Sequence, residues 1–154
     1  MGVSGSGKTT IGRALADELS FDFFDGDDYH PLENIKKMKE GNPLNDNDRY
    51  PWLIKLNGLL IGRRDQGCIL ACSALKESYR QQLTKGIDET VQLVYLKGAF
   101  TTIYDRMQSR EDHFMPTALL QSQFAVLEEP KNALIIDVTL SLEEIIKKIK
   151  TALE

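Results

Sequence analysis

Two clusters of residues in this chain have the types and spacing that chemistry on a phosphate requires. The first is Gly2-Val3-Ser4-Gly5-Ser6-Gly7-Lys8-Thr9, which fits the phosphate-loop pattern G-x-x-x-x-G-K-[ST]. Glycines there let backbone N–H groups turn inward around phosphate oxygens with no Cβ in the way. Lys8 would reach the β- and γ-phosphates of a nucleotide, and the Thr9 hydroxyl would hold Mg²⁺. A helix running on from about Thr10 would aim its positive end at the same anion. Residues 2–10 are therefore the expected cradle for ATP with Mg²⁺.

The second cluster is Asp25-Gly26-Asp27-Asp28-Tyr29-His30-Pro31. Three carboxylates in four residues beside an apolar stretch cost free energy unless they face solvent, cations or donors. A phosphoryl-transfer site has two roles for such groups. One carboxylate can hold the metal, directly or through water, and another can accept the proton of the attacking hydroxyl. The acid that usually serves the metal would close the apolar run 68–72, but Ser73-Ala74-Leu75-Lys76 follows there. Elimination leaves Asp25 or Asp27 for the metal side.

Basic groups are scattered in the sequence but fall into two sets. Lys76 and Arg80 are four apart and would share one helix face, while Arg49 follows the run Asn45-Asp46-Asn47-Asp48. These suit a substrate carboxylate, which arginine can grip bidentately. Arg106 and Arg110, again four apart, precede Phe114-Met115-Pro116 together with His113. A segment of this kind, residues 106–116, is expected to be a lid whose arginines stabilise charge on the transferring phosphoryl group. No ligand cluster surrounds His30 or His113, so neither is read as a metal site.

These groups need a scaffold, and the apolar periodicity supplies one. Helical spacing begins at once with Ile11, Ala14, Leu15 and Leu19. Residues 21–24 read as a short strand ending in acids. Pro31 suits a first helical turn, and Leu32, Ile35 and Met38 form a stripe that Gly41-Asn42-Pro43 ends. The Asn/Asp run caps a longer helix carrying Trp52, Leu53, Leu56, Leu59 and Leu60. Residues 68–72 form a continuous apolar run, as in a strand buried on both faces. A short helix over 77–83, a strand over 91–96, helices over 100–109 and 117–127, and a strand over 133–138 follow. Ser141-Leu142-Glu143-Glu144 has capping-box form and opens the last helix. Strands alternating with helices imply a parallel sheet covered on both faces, with ligands at the carboxyl ends of its strands.

Size and composition narrow the classes. The chain has 154 residues, 42% hydrophobic and 27% charged, with a net charge of −4. That is one domain, residues 1–154, with a real core. The acidic balance disfavours a nucleic-acid or anionic-membrane surface. No apolar run reaches spanning length, and the phosphate loop occupies the place of a leader, so a cytoplasmic protein is expected. Cys68 and Cys72 would share a strand face roughly 13 Å apart, too far for a disulfide, and are expected as reduced thiols.

Taken together, these segments resemble the gluconokinases of the small phosphate-loop type. The resemblance is carried by the phosphate loop, by Asp27-Asp28-Tyr29-His30-Pro31, by Asn34 with Lys37-Met38, and by Pro43-Leu44-Asn45-Asp46 with Asp48-Arg49 and Pro51-Trp52-Leu53. Cys72-Ser73-Ala74-Leu75-Lys76 with Tyr79-Arg80, Leu96-Lys97-Gly98, His113-Phe114, and Gln121 with Gln123-Phe124 continue it in order. It implies transfer of the γ-phosphoryl group of ATP to the 6-hydroxyl of D-gluconate, and a homodimer. It also implies the three-layer α/β phosphate-loop NTPase fold with strand order 2-3-1-4-5. Carried onto this chain, it makes Asp25 the metal-side acid, with Thr9, and makes Asp27 the group that orients or deprotonates the hydroxyl. Lys8, Arg106 and Arg110 would act on the transferring phosphoryl group. His30, Arg49, Lys76, Arg80 and His113 would meet the sugar acid. In that fold a strand precedes the phosphate loop at the centre of the sheet. Here only Met1 precedes it, so the central strand is expected to be missing or cut short.

Overall fold

The computed structural model describes residues 1–109 and 117–154. Helix α1 (Lys8–Leu19) starts directly from the phosphate loop, because Gly7 takes a left-handed φ of 95° and turns the chain into the first helical residue. Strand β1 (Asp22–Asp25) follows, then α2 (Leu32–Lys39) and the long α3 (Asp46–Arg63). Asn45 caps α3 through a reciprocal box with Asp48, as the Asn/Asp run implies. Strand β2 (Cys68–Ala71), α4 (Glu77–Thr84), β3 (Val94–Lys97) and α5 (Phe100–Gln108) come next, and α6 (Thr117–Val126), β4 (Leu134–Asp137) and α7 (Leu142–Leu153) complete the order. The box of Ser141 with Glu144 opens α7 as its sequence predicts.

The strands pair in parallel in two sets. Strand β1 lies on β2, with Asp22 opposite Cys68 and Asp25 opposite Ala71. Strand β3 lies on β4, with Val94 opposite Leu134 and Lys97 opposite Asp137. No ladder joins β2 to β3 among the described residues. The four strands thus hold the outer places of the expected order, and the central place is held only by the first residues of the chain. Gly2 N–H donates to Ser73 O (3.2 Å) and Leu96 N–H donates to Met1 O (2.9 Å), so Met1 and Gly2 stitch the carboxyl ends of β2 and β3 together. Behind this stitch the two pairs part around a cavity of about 1190 Å³, walled by Ile11, Leu15, Ile69, Leu70, Val94 and Ile149.

The cavity explains two departures from the sequence reading. Residues 68–72 are expected to be buried on both faces, but Cys68, Ile69 and Leu70 are half-buried and only Ala71 and Cys72 are buried. The first three border the gap; the last two lie at its stitched end. The strand expected over 91–96 begins only at Val94, after a turn of 3₁₀ helix over Asp88–Thr90. Residues 91–93 have the composition of a strand but lie where the pairing with β4 has only begun, through Leu134 N–H to Leu93 O.

The cores that position the site lie at the carboxyl ends of the strands. Trp52, Leu53 and Leu56 of α3 pack against Cys72, Tyr79 and Leu83, fixing α3 and α4 over the end of β2. Val3 of the phosphate loop packs with Leu75, Ile103, Met107 and Leu120, tying the loop to α5 and α6. Leu56 and Ile103 have no exposed surface. Removal of each side chain from water contributes about 1.5–3 kcal/mol, so the loop is held by packing as well as by hydrogen bonds.

Candidate functional site

The phosphate loop has the shape its glycines allow. Gly2, Gly5 and Gly7 have φ of 150°, 78° and 95°. A Cβ on Gly2 would lie 2.9 Å from Leu96 O, and one on Gly5 would lie 2.5 Å from Met107 Cγ. Both glycines are therefore required by close approach as well as by dihedral angle. Within the loop the Ser6 hydroxyl is buried and has no hydrogen-bond partner among the described residues. Lys8 Nζ donates to Val3 O at 2.9 Å and so lies across the loop it serves. Burial lowers the pKa of this amine, while the charges of Asp27 and Asp25 draw it up.

The acidic cluster divides its work geometrically. Asp25 ends β1, which puts its carboxylate beside the start of α1, and Thr9 Oγ1 donates to Asp25 Oδ2 at 2.7 Å. Asp25 Oδ1 also accepts from Asp27 N–H at 3.1 Å, shaping the 3₁₀ turn over Gly26–Tyr29. A hydroxyl and a carboxylate this close suit Mg²⁺, which takes few protein oxygens and fills its remaining positions with water and phosphate oxygens. Asp27 opens toward solvent on the same side. Desolvation by the flanking protein raises its pKa, with Asp25 and Asp28 adding and the Lys8 charge opposing. No cluster of three or more metal-ligating His, Cys, Asp or Glu side chains occurs among the described residues.

The acceptor side is built by α2, α3 and α4. His30 stacks on Trp52 with ring centroids 4.1 Å apart and planes 17° apart. The indole is held in turn by its N–H on Gly26 O at 2.7 Å. The His30 imidazole is 4% exposed and its Nε2 lies 3.9 Å from Asp27 Oδ1. Burial, with the nearby Arg49 charge, lowers its pKa to about 4, so it is neutral at pH 7. Arg49 donates to Leu44 O (2.6 Å) and Tyr79 Oη (3.2 Å) and lies over the Tyr79 ring. Lys76 Nζ pairs with Asp46 at 2.9 Å, and the Tyr79 hydroxyl donates to the same carboxylate. These bonds hold the Asp46 pKa below its ordinary value.

Not every candidate is brought to this face. Arg80 is 5% exposed. Its guanidinium donates to Ala74 O (2.9 Å), Leu75 O (3.2 Å) and Glu77. It braces the turn after β2, which includes Ala74 at a φ of 46°, and its donors are directed at the protein. The spacing with Lys76 does not put the two on one face, because Lys76 precedes α4 as its N-cap. Arg106 is half-buried on α5 and donates to Val138 O at 2.6 Å. Arg110 and His113 lie outside the described residues, as does most of the segment read as a lid. Cys72 is buried beside the site, and burial pushes its thiol up to about 11; both cysteines are free.

Two residues given no role from sequence are found at the site. Gln123 of α6 accepts from Ser4 N–H (2.8 Å) and donates to Ser4 Oγ (3.1 Å), clamping the phosphate loop from the far side. Asn34 of α2 is 3% exposed and bridges His30 Nδ1 to the backbone of Asp48. Asn34 lies off the Leu32, Ile35 and Met38 stripe, and Leu32 of that stripe is 83% exposed, so apolar spacing gives no signal for it. For Gln123, 119 residues from its partner, no local signal exists.

A family model of shikimate kinases matches residues 4–153. The chain is 45% identical to a probable gluconokinase of Mus musculus, over all of this chain and 95% of the relative. It is 50% identical to the thermosensitive gluconokinase of Escherichia coli K12, over 85% of this chain and 71% of the relative. A crystal structure of a gluconokinase from Sinorhizobium meliloti 1021 superposes with a TM-score of 0.92 at 42% identity, over 99% of this chain and 88% of that one.

Proposed function

The chain belongs to the shikimate kinase family and, within it, to the gluconokinases, and from that premise we propose that it transfers the γ-phosphoryl group of ATP to the 6-hydroxyl of D-gluconate. The observation that carries this reading is the division of the acidic cluster. Asp25 is bonded to the phosphate-loop Thr9, and Asp27, two residues on, is exposed with its carboxylate 3.9 Å from His30 Nε2.

In this mechanism the backbone N–H groups of the loop and the start of α1 bind the phosphates, and Lys8 swings from Val3 O to the oxygens of the transferring group. Thr9 and Asp25 would hold magnesium, which offsets charge on the phosphates. Asp27 orients the gluconate hydroxyl and takes its proton as the oxygen attacks phosphorus; the bond to the ADP leaving oxygen breaks. Asp25 is engaged by Thr9, which leaves Asp27 as the carboxylate free to take the proton. Arg49 and Lys76 supply positive charge for the gluconate carboxylate. For both, an incoming carboxylate must compete with their present partners, Leu44 O and Asp46. Arg106 and Arg110 belong to the same proposal on the nucleotide side, as does His113 on the gluconate side. A homodimer, implied by the resemblance, would sediment at twice the mass of the chain.

A coupled assay for ADP release tests the substrate directly. D-gluconate is expected to be turned over, while shikimate and nucleoside monophosphates give rates at background. Turnover of either of those in preference to gluconate would contradict the proposal.

A further inference from the structure

A chain of half-buried polar contacts runs from α3 through α2 to His30. Asp48 is fixed at the start of α3, where its carboxylate takes Lys37 Nζ at 2.8 and 2.9 Å. Its backbone carbonyl, which can only accept, takes Asn34 Nδ2 at 2.8 Å. That contact fixes which end of the Asn34 amide is nitrogen. The same Nδ2 lies 3.2 Å from His30 Nδ1. Since Nδ2 can only donate, Nδ1 must accept, and a neutral imidazole then carries its proton on Nε2. A half-turn of the ring keeps its stack on Trp52 but puts Cδ2 where Nδ1 now faces Asn34, so the Asn34 contact holds the orientation seen. Buried to 4% exposure beside Arg49, it stays neutral at pH 7.

The protonated His30 Nε2 therefore lies 3.9 Å from Asp27 Oδ1, too far for a direct hydrogen bond. One oxygen at about 2.8 Å from each atom, set to the side of the line joining them, would lie within the ordinary hydrogen-bond range of both. A hydroxyl there donates its proton to the carboxylate and accepts from the imidazole. An ammonium there would leave the Nε2–H without an acceptor, and a carboxylate would be repelled by Asp27.

We propose that His30 donates Nε2–H to the same substrate hydroxyl whose proton Asp27 accepts, and that Asn34 is the positioning residue that fixes this tautomer. The first half rests on the gluconate reading above; the second does not. His30 then selects a hydroxyl as the group beside Asp27 and holds its oxygen, while Asp27 holds its hydrogen.

The chain has only two histidines, so the test is a long-range ¹H–¹⁵N spectrum of the imidazoles in the intact protein at pH 7, assigned with His113→Asn. The neutral Nε2–H tautomer is expected for His30, and D-gluconate is expected to shift its Nε2–H resonance. An Nδ1–H tautomer or an imidazolium would overturn the assignment of Asn34. An unshifted Nε2–H in a protein that turns gluconate over would overturn the contact with substrate. If gluconate is not turned over at all, the functional reading fails and the tautomer still decides the role of Asn34. Asn34→Asp gives a kinetic check, because its carboxylate draws the proton to Nδ1. It is expected to raise KM for gluconate at least tenfold and to leave KM for ATP within twofold. Equal changes in both would mark a merely structural residue.

Discussion

Asp25 and Asp27 carry the same functional group two residues apart, and the roles proposed for them differ because their settings differ. One is tied to Thr9 at 2.7 Å, and the other is open, with a raised pKa. Asp27→Asn keeps size and polarity but removes the base. It is expected to lower kcat by about 10²-fold or more and to leave KM for ATP within twofold, as steady-state kinetics would read. His30 gives a second prediction, on stability. Its pKa is about 4 in the fold, against an ordinary 6.5. Between those values the unfolded chain binds a proton that the folded chain refuses, so stability rises with pH through this window and is lost as pH falls. The urea midpoint should fall between pH 6.5 and pH 4.5, and His30→Phe should flatten that fall. At this scale the sequence was legible in position: the phosphate loop leads into α1, and Thr9 meets Asp25 at the end of β1. Arg80 was not legible, because charge alone does not tell a ligand for substrate from a brace for a turn at Ala74.

Helix α6 is the element whose importance the sequence hides. Gln123 on its inner face clamps Ser4 of the phosphate loop. Beyond its end, Glu128 N–H donates to Leu75 O at 2.8 Å and the Glu128 carboxylate accepts from Glu77 N–H at 2.7 Å. One segment thus braces the nucleotide loop and the turn after β2 together. Gln123→Leu keeps the bulk but removes both bonds to Ser4, each worth about 1 kcal/mol net. It is expected to raise KM for ATP about tenfold with a smaller change in kcat; an unchanged KM would show that packing of Val3 alone holds the loop. Capped helices were read well because caps are local: Asn45 with Asp48, and Ser141 with Glu144. Strand limits were read less well because pairing is not local. Residues 91–93 look like a strand but precede the pairing that begins at Val94.

Across the whole molecule, the fold follows from alternation and the site follows from the fold. Parallel strands put their carboxyl ends on one side, and the phosphate loop, the acidic turn and the turn after β2 meet there. Among the described residues the sheet is divided into two parallel pairs. What the sequence did not show is how the halves stay together. Backbone bonds of Met1 and Gly2 to Ser73 and Leu96 close one end of a gap of about 1190 Å³. The site lies at that closed end. The most direct test is to incubate the purified chain with ATP, Mg²⁺ and D-gluconate and to locate the new phosphate by phosphorus and carbon NMR. A single product phosphorylated at the 6-oxygen, absent with Asp27→Asn, is the result predicted. Hydrolysis of ATP with gluconate unchanged, or phosphate on another oxygen, would contradict the account.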